Sequence, residues 1–276
     1  FENGTTPAEI AKSIGAGLYK SVCCAKVDGD LCDLRTPLEK DCKVELLTFD
    51  NVDGQKTFWH TASHVLAQAV KRLYPNAKCA IGPAVDNGFY YDFDVEKPFS
   101  PEDLEKIKAE MKKIVKSGLE LARVELSPEE AEKKLEEMNE PYKVELVKEH
   151  SDKGEHITFY KQGEFIDLCA GPHLMSVAPI KAIELTACTG AYWRGDANNA
   201  QLCRVYGVAF PKASMLEEHL KKLEEAKLRD HNKLGRELEY FTTVDYVGQG
   251  LPILLPKGAR VVQLLQRWVE DVEQSK

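Results

Sequence analysis

The chain has 276 residues, 43% of them hydrophobic and 30% charged, which excludes a disordered protein and leaves room for about two domains. Its formal net charge of −8 argues against broad non-specific nucleic-acid binding, although one local basic surface could still dock RNA. No apolar run is long enough to span a membrane and no secretory signal is present, so we expect a cytoplasmic protein with no membrane partner. The eight cysteines follow no repeating framework, which favours reduced thiols.

The first predicted elements lie in residues 1–49, which we interpret as a small α+β unit. Thr6-Pro7 is typical of a helix start, because Pro is favoured at the first helical position. Residues 21–27 and 43–49 have the composition of strands. This pattern begins at the very first residue, without an initiator Met, so we expect a trimmed chain that lacks the first strand of the unit.

Residues 50–211 alternate helical and strand patterns and are predicted to form a larger domain. An amphipathic helix begins at Phe58 and is stopped by Pro75, and further helices begin at Ser100 and Ser127. Short strands separated by turns outnumber crossovers of the length that parallel strands require, so we expect an antiparallel α+β domain. The predicted strands are GFYYDFDV, HITFY, EFIDL, AIELTAC and CRVYGVAF.

Two segments of different character follow this domain. Residues 212–236 are highly charged with a thin apolar stripe, which is typical of a helix that bridges domains through solvent. Residues 237–276 combine a Pro/Gly-rich lead-in with an amphipathic helix. We therefore predict a linker helix followed by the start of another domain.

A pair of histidines on the first long helix is the first candidate for chemistry. His60 and His64 are one helical turn apart and share a face. Apolar residues such as Phe58, Val65 and Leu66 cluster on the opposite face, so both histidines are predicted to point away from the core beneath the helix. The alternative interpretation is two ordinary exposed histidines.

The turn in FIDLCAGPHLM, residues 165–175, supplies a second pair. The strand must end at Gly171-Pro172, which places Cys169 before the turn and His173 after it. Three imidazoles and one thiol could bind zinc tetrahedrally, or they could position water with a neutral imidazole as general base. The spacing of these residues leaves both interpretations open.

Four weaker candidates could belong to the same site. Asp167 precedes Cys169 by two residues and could share its face of the strand, although taken by itself it is more typical of an Asp that caps a turn. Lys143 and Tyr91 are individually typical of a solvated lysine and a packed tyrosine. Gly82 precedes a proline, and this turn could bring backbone amides near a ligand.

Four motifs in this order carry a resemblance to a known family. They resemble the editing domain of threonyl-tRNA synthetases, and they are HTASHVLAQA, IGPAVDNGFYYDF, PYKVEL and DLCAGPH. Residues 1–49 are similar to the family's TGS domain, a ubiquitin-like β-grasp unit, and residues 50–211 to its editing domain. Residues 212–236 resemble the family's linker helix, and residues 237–276 resemble the start of its class II catalytic domain through the motif 1 helix.

The resemblance implies an editing hydrolase within a threonine–tRNA ligase. Binding alone discriminates one methyl group by about 1–3 kcal/mol, so a second site must hydrolyse Ser-tRNA(Thr) with activated water and spare Thr-tRNA(Thr). The full-length protein would attach threonine to tRNA(Thr) with ATP and form a homodimer. The residues with implied catalytic roles are His60, His64, Lys143, Cys169 and His173, and those with implied substrate-binding roles are Tyr91, Asp167 and Gly82.

The resemblance also implies which cofactors to expect. Editing in this family needs no metal, whereas the related alanine-editing family binds zinc with the equivalent residues, here His60, His64, Cys169 and His173. ATP, magnesium and zinc are expected only in the catalytic domain, whose later motifs this chain lacks, so we expect no aminoacylation. Ala170 stands where the family commonly has Arg, which puts tRNA affinity in doubt. The alternatives are a zinc-dependent hydrolase on the same fold and a non-catalytic tRNA-binding module.

Overall fold

The structure, a computed structural model, describes residues 1–248 and 250–275. It divides into two compact units, the first from Phe1 to Leu216 and the second starting at Glu217. The predicted boundary near residue 49 lies inside the first unit and stays a prediction. Gln249 and Lys276, which belong to the predicted segment 237–276, lie outside the described residues.

The first unit begins with two helices and a small sheet. Helix α1 follows a capping box, because Thr6 Oγ1 accepts from the Glu9 amide at 3.3 Å and the Glu9 carboxylate accepts from the Thr6 amide at 2.8 Å. The predicted helix start is therefore confirmed. The antiparallel sheet has the order β2-β1-β3. The elements are α1 (Pro7–Ile14), α2 (Ala16–Ser21), β1 (Val22–Val27), β2 (Asp30–Cys32) and β3 (Val44–Thr48).

The long helix α3 (Val52–Leu73) runs through the centre of the first unit, and most of its 22 residues are buried. Its apolar face packs into the main core, as the periodicity predicts. The opposite face is also covered: His64 is 2% exposed and Ala67 0%. The alternative interpretation of two ordinary exposed histidines is therefore wrong for His64, which is buried on that face. Helical periodicity identifies the more apolar face, but it does not reveal that a second layer covers the polar one.

Two further antiparallel sheets pack around α3, and the unit contains three further helices. The five-stranded sheet has the order β10-β11-β6-β4, with β5 paired to β6. The other sheet has three strands in the order β7-β8-β9. All strand pairings among the described residues are antiparallel, which confirms the predicted α+β class. The strands are β4 (Lys78–Cys79), β5 (Ala84–Val85), β6 (Gly88–Asp94), β7 (Leu121–Glu125), β8 (Thr158–Gln162), β9 (Phe165–Leu168), β10 (Ala182–Tyr192) and β11 (Gln201–Phe210).

The remaining helices of this unit start where the sequence predicts. Ser100 and Ser127 each form a capping box, with Asp103 and Glu130 respectively. These helices are α4 (Pro101–Ser117), α5 (Pro128–Glu137) and α6 (Pro141–Asp152), and a short 3₁₀ turn covers Trp193–Gly195.

The single linker helix predicted over residues 212–236 is two helices. Helix α7 (Ala213–Leu228) ends before Asp230, and α8 (His231–Glu237) begins after it. The Asp230 carboxylate accepts from the Lys233 amide at 2.9 Å, so it caps a new helix where a continuous one was expected. The elements that follow α8 are β12 (Phe241–Thr242), β13 (Ile253–Leu254) and α9 (Pro256–Gln274). Among the described residues, no helix is long and apolar enough to cross a bilayer.

A glycine in the first turn of α3 allows the helix to approach the small sheet closely. A Cβ added to Gly54 would lie 1.9 Å from the Thr48 carbonyl oxygen, and this backbone atom cannot move aside cheaply. We predict that Gly54→Ala lowers the melting temperature of the chain, measured by circular dichroism. Gly17→Ala is the matched control, because its Cβ would meet no atom within 4 Å in helix α2 and should leave the stability unchanged or slightly raised. Equal melting of Gly54→Ala and the unmodified chain would contradict the prediction.

Candidate active site

Three imidazoles and one thiol meet beside the buried helix. His60 and His64 come from α3, whereas Cys169 and His173 come from the turn after β9. One ligand atom from each of the four residues lies within 4.8 Å of all the others. Cys169 Sγ lies 3.2 Å from both His60 Nε2 and His173 Nε2. The structure thus brings together two pairs that are more than a hundred residues apart in sequence.

The turn that carries Cys169 and His173 folds tightly over Tyr160. Gly171 has φ +76°, and a Cβ on it would lie 2.3 Å from the Tyr160 hydroxyl oxygen. Its amide donates to Cys169 Sγ at 3.2 Å. A side chain at position 171 would both strain the backbone and displace the tyrosine, so glycine is required for this turn.

The threonine next to His60 holds the ring of His173 in place. Thr61 Oγ1 lies 3.1 Å from His173 Nδ1 and 3.0 Å from the Thr57 carbonyl oxygen, and it accepts from the Leu174 amide at 3.0 Å. The tautomer of the imidazole sets whether Thr61 or His173 donates in the bond between them. In either tautomer His173 Nε2 lies 3.2 Å from Cys169 Sγ, so the contact with Thr61 supports the orientation of the ring.

A buried ion pair lies next to the imidazoles. Lys143 Nζ, in the first turn of α6, lies 2.8 Å from Asp167 Oδ1, and both side chains are almost fully buried. The Tyr91 hydroxyl donates to Asp167 Oδ2 at 2.6 Å, and His64 Nε2 lies 3.8 Å from the same oxygen. Three of the weaker sequence candidates, Lys143, Tyr91 and Asp167, therefore form one cluster beside the four-group site.

Attraction within this pair overcomes the effect of burial on both groups. Burial acts to lower the pKa of Lys143, but the Asp167 carboxylate outweighs it and the pKa is raised. Burial acts to raise the pKa of Asp167, but Lys143, His64 and the Tyr91 hydroxyl together outweigh it and the pKa is lowered. Burial also raises the pKa of Tyr91 well above its ordinary value. At neutral pH the site therefore holds an ammonium, a carboxylate and a protonated phenol.

The imidazoles and the thiol are uncharged for the same reason. Burial lowers the pKa of His60 to about 4 and that of His64 to about 3, and it lowers the pKa of His173 well below its ordinary value. Burial also raises the pKa of Cys169 to about 12. His60 and Cys169 are partly exposed, whereas His64 and His173 are buried, so the cluster is open to solvent on the His60 and Cys169 side. The opening therefore leads past His60 and Cys169 to a cluster of three neutral bases and a thiol.

The buried Nδ1 of His64 is available to a ligand. It has no hydrogen-bond partner among the described residues, and a buried polar atom without a partner costs about 1–3 kcal/mol. An atom that supplied a bond to this nitrogen, such as a water hydrogen or a metal ion, would remove that cost.

Gly82 lies next to the site through its contact with Tyr91. A Cβ on Gly82 would fall 2.0 Å from the tyrosine ring, and its carbonyl accepts from the Ser63 hydroxyl at 2.6 Å. Its role in the structure is close packing of the loop against Tyr91. A contact between its amide and a ligand stays a prediction.

Sequence reasoning missed several residues that support the site. Glu140, just before α6, accepts from the Cys79 amide at 2.6 Å and from Lys71 Nζ at 2.8 Å, and so holds the helix start that carries Lys143. Thr61 lies next to His60 in the sequence, and this position is the signal that could predict its contact with the site. The Asp33 carboxylate accepts from the His173 amide at 3.3 Å, but Asp33 lies far away in the sequence and no local signal indicates this contact.

The architecture and the site match two known domain types. The model of the threonyl and alanyl tRNA synthetase second additional domain matches residues 157–206, which include β9 and the Cys169–His173 turn. The TGS domain model matches residues 1–48. The chain is thus of the class that joins a TGS domain to the additional domain shared by these synthetases.

The relatives make the assignment more specific. The chain is 59% identical over 274 residues to the threonine–tRNA ligase of Clostridium perfringens. The aligned residues cover 99% of this chain and 42% of that protein. It is 54% identical over 272 residues to that of Acetivibrio thermocellus (98% of this chain, 42% of that protein). Identity is 53% over 266 residues with that of Caldanaerobacter subterraneus (96% and 41%). The chain is therefore homologous to the N-terminal region of threonine–tRNA ligases, as the motifs predict, and it spans about two-fifths of the length of these relatives.

The buried ion pair offers a direct test of the site's electrostatics. We predict that Lys143→Met lowers the free energy of unfolding by about 3–5 kcal/mol, because it leaves the Asp167 carboxylate buried without its partner. The double variant Lys143→Met/Asp167→Leu should lose less than the sum of the single variants. Denaturant unfolding followed by tryptophan fluorescence measures both. Lys148→Met, an exposed lysine on the same helix, is the control and should change the stability by no more than about 0.5 kcal/mol.

Proposed function

We propose that this chain hydrolyses the ester of Ser-tRNA(Thr) with a water molecule activated at the four-group site. One observation carries the proposal: three neutral imidazoles and a thiol converge beside a buried ammonium–carboxylate pair. Homology to threonine–tRNA ligases supplies the substrate class, because an enzyme that accepts threonine must also contend with serine.

The residues support distinct roles in this reaction. His60 is the partly exposed neutral imidazole, so it would take a proton from the water as the water oxygen attacks the ester carbonyl carbon. The released proton passes to the tRNA ribose oxygen as the ester bond breaks. Lys143 supplies positive charge near the developing oxyanion, and Asp167 keeps free lone pairs that can accept from the seryl group. Tyr91 holds Asp167 in place.

The protonation state of Cys169 argues against covalent catalysis. The nucleophilic form of cysteine is the thiolate, and burial raises the pKa of this thiol to about 12. At neutral pH Cys169 is therefore a thiol that lines the cleft. Activated water is the better nucleophile in this environment.

A zinc-dependent hydrolase is the second candidate, and the donor set favours it. Three imidazoles and one cysteine, with ligand atoms within 4.8 Å of one another, suit tetrahedral zinc. His173 Nε2 lies 3.2 Å from Cys169 Sγ in this space, and His64 Nδ1 has no hydrogen-bond partner among the described residues. Bound zinc would hold Cys169 as a thiolate and act as a Lewis acid. His60, His64, Cys169 and His173 would be its ligands.

The wider activity of the longer protein is also proposed by homology. Its relatives are named threonine–tRNA ligases, so we propose that tRNA(Thr) is the partner and that the full-length protein attaches threonine to it with ATP. The magnesium and the further zinc expected for that reaction belong to a catalytic domain. A homodimer of the full-length protein and a cytoplasmic location stay predictions.

The deacylation assay tests the main proposal. We predict that this chain releases serine from Ser-tRNA(Thr) faster than threonine from Thr-tRNA(Thr), by roughly 10- to 200-fold for the difference of one methyl group.

His60→Ala should slow serine release by about 10²- to 10⁴-fold, because it removes the general base. His150→Ala, at an exposed histidine paired with Glu155, is the control and should react like the unmodified chain. Binding of tRNA without deacylation would instead indicate a non-catalytic tRNA-binding module.

Metal analysis separates the two candidates. If water is activated by His60 alone, the purified chain should hold far less than one zinc per molecule, and a chelator should leave serine release unchanged. Cys169→Ala should then retain most of the activity. Stoichiometric zinc, together with activity that a chelator abolishes and zinc restores, would decide for the metal-dependent reaction.

A further inference from the structure

The backbone around His173 is held by side chains rather than by a helix or a sheet. The His173 amide donates to Asp33 Oδ2 at 3.3 Å, and the His173 carbonyl accepts from Arg35 Nη1 at 3.4 Å. The Leu174 carbonyl accepts from Arg35 Nη2 at 2.7 Å, and the Leu174 amide donates to Thr61 Oγ1 at 3.0 Å. Three of these four bonds therefore come from the N-terminal segment that matches the TGS domain.

Asp33 and Arg35 are themselves rigidly held, and we call the two residues the clamp. Arg35 Nη1 lies 2.9 Å and 3.2 Å from the two Asp33 carboxylate oxygens, and Arg35 Nε donates to the Leu121 carbonyl at 3.0 Å. The Tyr160 hydroxyl donates to Asp33 Oδ2 at 2.8 Å, and the Tyr160 ring centroid lies 4.4 Å from that of His173. The guanidinium thus spreads its donors over three carbonyls and one buried carboxylate.

We propose that Asp33 and Arg35 are positioning residues for His173, and that the N-terminal segment is therefore part of the hydrolytic site. His60 and His64 take their places from a helix, but His173 follows a turn whose two backbone carbonyls depend on the clamp. Catalytic groups must keep their geometry to within about 0.5 Å, so a shift of this turn alters the cluster even though the clamp touches no substrate. The catalytic consequence rests on the proposed deacylase activity.

A second ion pair between the N-terminal segment and the rest of the unit provides a control. Lys26 Nζ lies 2.6 Å from Asp53 Oδ2, so it joins the N-terminal segment to α3, whereas the clamp joins it to the His173 turn. Its partner lies in the first turn of the helix, and the pair makes no bond to the His173 turn among the described residues. If the segment only stabilises the fold, loss of Lys26 and loss of Arg35 should affect catalysis alike.

The experiment compares Arg35→Gln with Lys26→Gln in this chain. We expect Arg35→Gln to lower kcat for Ser-tRNA(Thr) deacylation by roughly 10- to 100-fold, as is usual when the support of a site residue is removed, with KM little changed. Amide hydrogen exchange should become faster in the peptide that contains His173 and Leu174, but not in α3. Lys26→Gln should keep both kcat and the exchange of that peptide at their original values.

Two further outcomes are decisive. Equal kcat and equal exchange in Arg35→Gln and Lys26→Gln would overturn the proposal. If the unmodified chain does not deacylate Ser-tRNA(Thr), the proposed function fails, and the exchange of the His173 peptide still decides whether the clamp holds the turn. Should Arg35→Gln not fold, Asp33→Asn keeps the size of the side chain, and the same two measurements decide the question.

Discussion

The burial of the middle of α3 on both its apolar and its polar face is the constraint on which the rest of the structure depends. The sheet β2-β1-β3 approaches α3 where Gly54 meets Thr48. The five-stranded sheet is joined to α3 where Trp59 Nε1 donates to the Ala209 carbonyl at 2.9 Å. The sheet β7-β8-β9 contacts the polar face of α3 through a hydrogen bond of 2.6 Å from Gln162 Nε2 to Gln68 Oε1. One helix therefore organises three sheets, and the residues on its polar face become a site because that face is covered.

Covering this face determines the chemistry of the site. In water, histidines on an exposed helix would have pKa values near 6.5, and a nearby lysine and aspartate would be hydrated independently. Burial instead keeps the imidazoles neutral, whereas the attraction between Lys143 and Asp167 keeps this pair ionised against the effect of burial. The site therefore holds free bases beside a fixed positive charge. Both the water-activation and the zinc readings use this arrangement, since each requires unprotonated imidazole.

The site also connects parts of the chain that domain boundaries separate. His173 lies in the stretch matched by the synthetase domain model, yet its backbone is bound by side chains of the stretch matched by the TGS model. The two stretches lie in one compact unit. The hydrogen bonds that support the turn therefore cross the predicted boundary near residue 49.

Much of this protein could be predicted from its sequence, because the signals act over a few residues. The capping boxes at Ser100 and Ser127, the end of β9 before Gly171 and the HxxxH spacing of His60 and His64 are all local. Four ordered motifs also sufficed to predict the homology. The capping potential of Asp230 is local too, but it competes with a helical pattern that continues on both sides, so the break between α7 and α8 was missed.

Only the tertiary structure decided the burial of His64, the protonation of the site and the part played by Asp33 and Arg35. Each depends on groups that come together from opposite ends of the first unit. Asp33 and His173 are 140 residues apart, and nothing in either neighbourhood encodes the other. The pKa values likewise reflect how completely all layers exclude water from the cluster. Local sequence determines which groups are present and on which element, whereas desolvation and long-range contacts determine what those groups can do.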